Sequence, residues 1–394
     1  MRTDIFTSPT EKTADRHRPV GVDARLRFAA ATCLPVRFPE QICGLCATAC
    51  PTQVIDLIAD GLRLNEGCIG CGQCAAICPT GALSVDGFAL PATLPPSDAP
   101  IHVDCWRVPF AESPLGALRV PCLAGISAGW LLALFDLAAA SAERPILLLD
   151  RRACGGCTAS AGMTDLYATL DEVGEWLLAC GVAAERLPRF VSQLARGPLA
   201  PNIPTSAGEV RIDRRGFFRG LMGGVARGAE QIAAAQVGAD NPADRPIVLR
   251  ETVAPLERMR VIAALTAIAT RHHREVPAQV LPHLSLADCS AHGVCAHVCP
   301  TGALVREEQN DTAELKFFTA RCIACGQCAR VCPDRALRVT ATGGTAVVAV
   351  LARWQAHECT ACGETFFGAG ETCPGCSKHQ QLFQGMAALF RPSA

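Results

Sequence analysis

The residues best able to do chemistry in this chain are its cysteines, 24 among 394 residues. Cys68, Cys71, Cys74 and Cys78 form Cys-x2-Cys-x2-Cys-x3-Cys followed by Pro79, and Cys322, Cys325, Cys328 and Cys332, followed by Pro333, repeat that spacing. Three thiolates three residues apart can wrap one side of a four-iron cubane while the loop aims backbone N–H groups at its sulfides. The fourth thiolate, beyond the loop, serves a second cluster. The repeat extends past the ligands: residues 68–85 and 322–339 agree at 12 of 18 positions.

Each full motif follows a less regular one. Before the first stand Cys43, Cys46 and Cys50-Pro51, with Glu40 where a further cysteine would complete the run. Cys33, farther upstream, is the displaced first ligand or else a free buried thiol. Before the second stand Cys289, Cys295 and Cys299-Pro300, with His292 in place of the middle cysteine. Three readings stay open there: ligation by His292, a three-iron or open-iron cluster, or a cluster that is lost or ligated by another residue. Residues 30–90 and 283–345 resemble two-cluster bacterial ferredoxins, whose fold is a small α+β unit relating two [4Fe-4S] clusters by a pseudo-twofold axis and whose role is one-electron transfer. The resemblance implies site I from Cys33, Cys43, Cys46 and Cys78, and site II from Cys50, Cys68, Cys71 and Cys74. It implies site III from Cys289, His292, Cys295 and Cys332, and site IV from Cys299, Cys322, Cys325 and Cys328. A neutral imidazole in place of a thiolate raises a cluster's potential, so site III is expected to be the most oxidising of the four.

Between the modules, residues 98–197 alternate strand and helix patterns: IHVDC (101–105), GALRVPC (116–122), the apolar AGWLLALFDLAAASA, PILLLD (145–150) and DLYATLDEVGEWLLACG. That order predicts a parallel sheet whose strand ends share one edge. Cys105, Cys122, Cys154 and Cys157 fall after three such ends and can converge on one cluster, with a redox-active Cys154–Cys157 pair as the alternative. The stretch resembles the delta subunit of methyl-viologen-reducing hydrogenase. That resemblance implies a [2Fe-2S] cluster and electron exchange with a hydrogenase, a formate dehydrogenase or a flavoprotein. Cys180 lies on an apolar helix and is expected in the core.

The tail, 354–394, carries Cys359-x2-Cys362 and Cys373-x2-Cys376, two knuckles that suit a tetrahedral zinc, or a single rubredoxin-like iron, in a zinc-ribbon-like hairpin. Residues 1–29 read as a polar tail, and 198–282 as a linker with helices near 213–236 and 253–274. Arg214-Arg215-Gly216-Phe217-Phe218, inside that linker, reads as part of an amphipathic helix.

The expected fold class is therefore α+β and α/β multidomain. A formal net charge of −1 argues against a nucleic-acid partner. The greasiest stretch, near 130–140, is too short to span a bilayer and contains Asp136. With no visible signal peptide, a cytoplasmic location is expected. The reading that follows is an electron-transfer subunit. An assembly or maturation factor for an iron–sulfur or molybdenum enzyme, and an enzyme with a substrate-accessible iron near His292, are the alternatives.

Overall fold

The computed structural model describes residues 18–19, 26–39, 43–58, 61–141, 144–151, 154–193, 252–344, 347–368 and 370–389. The Arg214–Phe218 motif, the 213–236 segment, Glu40 and most of residues 1–29 lie outside them. The described residues of Met1–Ile203 and Thr252–Ala394 belong to one compact unit, which mixes one parallel sheet with several antiparallel ones.

The parallel sheet occupies the middle region. Its strand order is Leu118–Val120, Ile101–Cys105, Ile146–Asp150, Arg189–Ser192, all pairs parallel. The first three strands sit where the sequence pattern puts them. Ile101, Val103, Ile146 and Leu148, paired in register, form a buried apolar ladder on one face of the sheet. Helix Ala128–Ser141 starts after Ser127, whose Oγ accepts the Trp130 N–H at 3.1 Å, an N-cap contact. Helix Met163–Ala179 follows the third strand and leads to the fourth. Cys180 ends that helix fully buried in the core.

Helix Leu256–Arg271 falls in the stretch that the sequence reads as a linker. Its Val261, Ile262, Leu265 and Ile268 are buried in the same core as Leu131, Leu134 and Leu177. The cost of truncating such a residue, about 2–5 kcal/mol for Leu to Ala, makes this helix part of the middle fold and not only a tether. Glu257 strengthens the joint: its Oε1 accepts the Gly129 N–H at 2.7 Å, placing a carboxylate at the positive end of helix Ala128–Ser141.

The two ends are built alike. At the first, Leu26–Phe28 pairs with Leu83–Val85, and Ile55–Ile58 forms a hairpin with Gly61–Leu64. At the second, Pro282–Leu286 pairs with Leu337–Gly343, and Leu304–Gln309 forms a hairpin with Thr312–Phe318. The second hairpin is extended by Val348–Glu358, which pairs with Thr312–Phe318 along one stretch and with Thr365–Phe367 at its far end. The tail thus grows out of the second module's sheet along one shared strand. Helix Pro374–Leu389 closes the described chain.

Candidate iron–sulfur and metal sites

Site positions follow from four Cys-Pro corners. After Cys50, Cys78, Cys299 and Cys332, the chain turns through Pro to a left-handed residue three positions on: Gln53 (φ 53°), Gly81 (63°), Gly302 (63°) and Arg335 (52°). The turn aims backbone at sulfur. Ala82, Ala303 and Ala336 donate N–H to Cys78, Cys299 and Cys332 Sγ at 3.2, 3.2 and 3.3 Å. Opposite the corners, the ligand loops also match. Gly70, Ala291 and Ala324 sit at φ 63°, 59° and 51°, and Gly72, Gly293 and Gly326 at 81°, 72° and 71°. The His292 loop therefore has the backbone of the Cys71 and Cys325 loops.

Sulfurs gather in the sets expected. Cys33, Cys43, Cys46 and Cys78 line one cavity with an empty volume of about 390 Å³. Cys50, Cys68, Cys71 and Cys74 line another of about 320 Å³, and Cys299, Cys322, Cys325 and Cys328 a third of about 350 Å³. Cys33, buried behind the one-turn helix Leu34–Arg37, faces Cys43 and Cys78, so the chain brings the displaced cysteine back to the site. Burial pushes the thiols of Cys33, Cys46 and Cys71 up to about 11. A thiolate there needs a compensating cation, and a multi-iron cluster supplies one. No cysteine is in a disulfide. Open cavities, reduced thiols and N–H groups directed at sulfur fit iron–sulfur clusters.

Site III is the exception. Cys289 and Cys295 face Cys332, and His292 Nδ1 lies 3.3 Å from Asp334 Oδ2. The same oxygen accepts the Ser290 N–H at 2.9 Å. Elsewhere the corner residue is threonine, whose Oγ1 touches the preceding cysteine: Thr52 to Cys50 at 3.6 Å, Thr80 to Cys78 at 3.7 Å, Thr301 to Cys299 at 3.8 Å. Asp334 replaces that contact with one to the histidine loop. Sequence reading missed Asp334, although the mismatch of PDRAL with PTGAL between the repeats marks it.

In the middle domain Cys105, Cys122, Cys154 and Cys157 line one cavity at the carboxyl edge of the sheet. The edge is fixed by a buried ion pair. Arg151 Nε donates to Asp104 Oδ1 at 3.1 Å, and Asp104 also accepts from Ser113 Oγ at 2.7 Å and from the Cys105 N–H at 2.9 Å. Removing either partner of so buried a pair costs about 3–5 kcal/mol. Arg107 Nη1 donates to Cys157 Sγ at 2.7 Å, a cation beside these thiols that sequence reading also missed.

The tail differs in scale. The sulfurs of Cys359, Cys362, Cys373 and Cys376 all lie within 4.8 Å of one another, and no other group of three or more His, Cys, Asp or Glu among the described residues is so tight. Cys362 and Cys373 Sγ are 4.0 Å apart, near the edge of about 3.8 Å that a tetrahedron with 2.3 Å metal–sulfur bonds requires. The Cys373 N–H, 3.2 Å from Cys359 Sγ, draws the Cys359 thiol down to about 6. Among the described residues no helix is long and apolar enough to cross a membrane.

Residues 41–83 and 287–337 each match the family model of the 4Fe-4S dicluster domain. Both ends of the chain thus carry ferredoxin-like dicluster modules, whose role is iron–sulfur electron transfer. Cys33, the middle domain and the tail lie outside the matched residues. No curated protein matches the chain significantly.

Proposed function

We propose that this chain is a relay subunit carrying electrons between a cytoplasmic oxidoreductase, such as a hydrogenase or formate dehydrogenase, and an acceptor such as a flavoprotein. Cys33, Cys43, Cys46 and Cys78, with Cys50, Cys68, Cys71 and Cys74, hold two [4Fe-4S] clusters. Cys299, Cys322, Cys325 and Cys328 hold another. Cys289, Cys295 and Cys332 hold the fourth, with His292 as its remaining ligand, and the Asp334 carboxylate, whose Oδ2 lies 3.3 Å from His292 Nδ1, supports that assignment because a carboxylate beside one ring nitrogen is the usual outer partner of a ligating histidine. Cys105, Cys122, Cys154 and Cys157 hold a [2Fe-2S] cluster, as the resemblance to the hydrogenase delta subunit implies. Cys359, Cys362, Cys373 and Cys376 hold zinc, in a structural or docking role.

The observation that carries the reading is the convergence of nearly every cysteine into multi-thiol sites, with Cys180 alone apart from them in the core of the middle region. Protein purified without oxygen is expected to hold about 18 iron atoms and about one zinc per chain. In a redox titration it shows several reversible one-electron steps. Iron near zero with several zincs would remove the electron-transfer reading of these sites.

A further inference from the structure

We infer that the five iron–sulfur sites form one unbranched relay in the order III, IV, I, II, middle site, joined by two packed seams outside the dicluster modules. This rests on the reading that those sites hold clusters. Each hop oxidises one cluster by one electron and reduces its neighbour by one, with no bond or proton exchanged. The ends exchange electrons with one-electron donor and acceptor proteins.

The first seam joins site II to the middle site. Ile69 and Cys71 line both cavities. Cys71 and Cys122 belong to one buried apolar group, with Ile69 and Cys157 against it. The approach is as close as backbone allows: a Cβ on Gly125 would stand 2.4 Å from the Cys71 carbonyl oxygen. Gln73 locks the contact, its Nε2 donating to Ala159 O at 3.0 Å across the seam.

The second seam joins site I to site IV and is made by residues 252–257. Val253 N–H donates to Pro300 O at 2.8 Å, next to Cys299, and Glu257 N–H donates to Pro79 O at 3.3 Å, next to Cys78. One short segment therefore grips the Cys-Pro corners of both modules. Val253, Leu34 and Phe38 are each 4% exposed and form an apolar group against which Cys43 and Ile323 pack. Leu34 and Cys43 line the cavity of site I, and Ile323 that of site IV.

Within the modules the walls are also shared. Cys46 packs on the group that contains Cys50 and Cys74, and Cys295 shares a group with Cys299 and Cys328. The alternative shortcut, from site IV to site II, crosses an open groove of about 1210 Å³ between Cys322 and Ala324 on one side and Gln73 and Ala124 on the other. Tunnelling decays faster across open space than through packed atoms, so the seams carry the electron.

The test is electron paramagnetic resonance of the full, cluster-loaded chain, partly reduced with dithionite. Iron and cluster content of the wild type are measured first. Absence of the middle cluster or of cluster IV would overturn the reading of the sites themselves. With clusters present, Cys68→Ala, at an exposed ligand of site II, is expected to abolish that signal and the spin–spin broadening of the middle site. Cys325→Ala is expected to reduce the broadening of site I, which keeps the part that comes from site II, and to leave the middle site unchanged. Broadening of the middle site that survives Cys68→Ala, or that disappears with Cys325→Ala, would overturn the relay order with the site reading intact. Pulsed dipolar distances in the wild type test the same order without a variant. Separations II to middle and I to IV shorter than IV to II support the order, and the reverse ranking refutes it.

Discussion

Residues 68–85 and 322–339 are near copies that face different neighbours. Both run through a ligand loop, a one-turn helix (Gln73–Ala76 and Gln327–Arg330) and a strand. Gln73 and Gln327 are each 5% exposed, yet Gln73 reaches out of its module to Ala159 O, and Gln327 holds Arg330 of its own repeat. Gly72 lies against Pro121 of the middle domain, while a Cβ at Gly326 would meet nothing within 4 Å. The corners diverge too, Thr80 touching Cys78 where Asp334 turns to His292 and Ser290. Ligand spacing therefore says what the loop holds, and the residues between the ligands say what the loop is docked against.

The sharpest way to break this comparison is Gly125→Ala, which acts only on the first repeat's side. Its methyl meets the Cys71 carbonyl and the Gly72 backbone, and backbone cannot swing away as a side chain can. A destabilisation of about 3 kcal/mol is expected, with altered absorption at the middle site and site II and unchanged signals from sites III and IV. Denaturant unfolding and visible spectra of the anaerobic protein check it. A fully stable, fully loaded variant would mean that the first seam is loose.

Making the second module resemble the first comes next. His292→Cys is expected to lower the potential of cluster III by about 100 mV or more, because a thiolate adds a negative charge that imidazole does not. A redox titration followed by electron paramagnetic resonance reads it, and unchanged spectra at every site would show that His292 is not a ligand. Asp334→Asn keeps the shape of the corner but removes the charge beside His292, so a smaller shift, in cluster III alone, is expected from the same titration.

The paired glutamines give a smaller contrast. Gln73→Ala leaves the Ala159 carbonyl without its buried donor and is expected to cost about 1–2 kcal/mol. Gln327→Ala, whose partner arginine reaches solvent, is expected to cost less than half of that. Thermal bleaching of the clusters at fixed heating rate compares the two, and equal losses would remove the distinction drawn between the repeats. Smallest of all, Ala324→Gly relieves a left-handed alanine at φ 51°. It is expected to change stability by less than about 1 kcal/mol, the relief being offset by the greater freedom of glycine in the unfolded chain, with no change in potential.

The candidate ligand sets of sites II and IV and of the tail were legible along the chain, because a cubane or a tetrahedral ion takes thiolates at short, local spacings; whether Cys33 and His292 complete theirs was not, since one is displaced from the run and the other is a different residue type. Three of the four parallel strands were legible too, as short apolar runs ending in Cys105, Pro121-Cys122 and Asp150. The strand Arg189–Ser192 was less legible, as a short edge strand with exposed ends carries little pattern. The contacts that could not be read along the chain span long sequence separations. Asp334 reaches a loop more than forty residues earlier, Gln73 a carbonyl 86 residues away, and Val253 and Glu257 tie two modules together through bare backbone N–H groups. Backbone donors have no residue signature, so no reading of side chains along the chain could find that seam. Whether a greasy helix such as Leu256–Arg271 is linker or core depends on which apolar face is offered to it, and that is settled only when the chain packs.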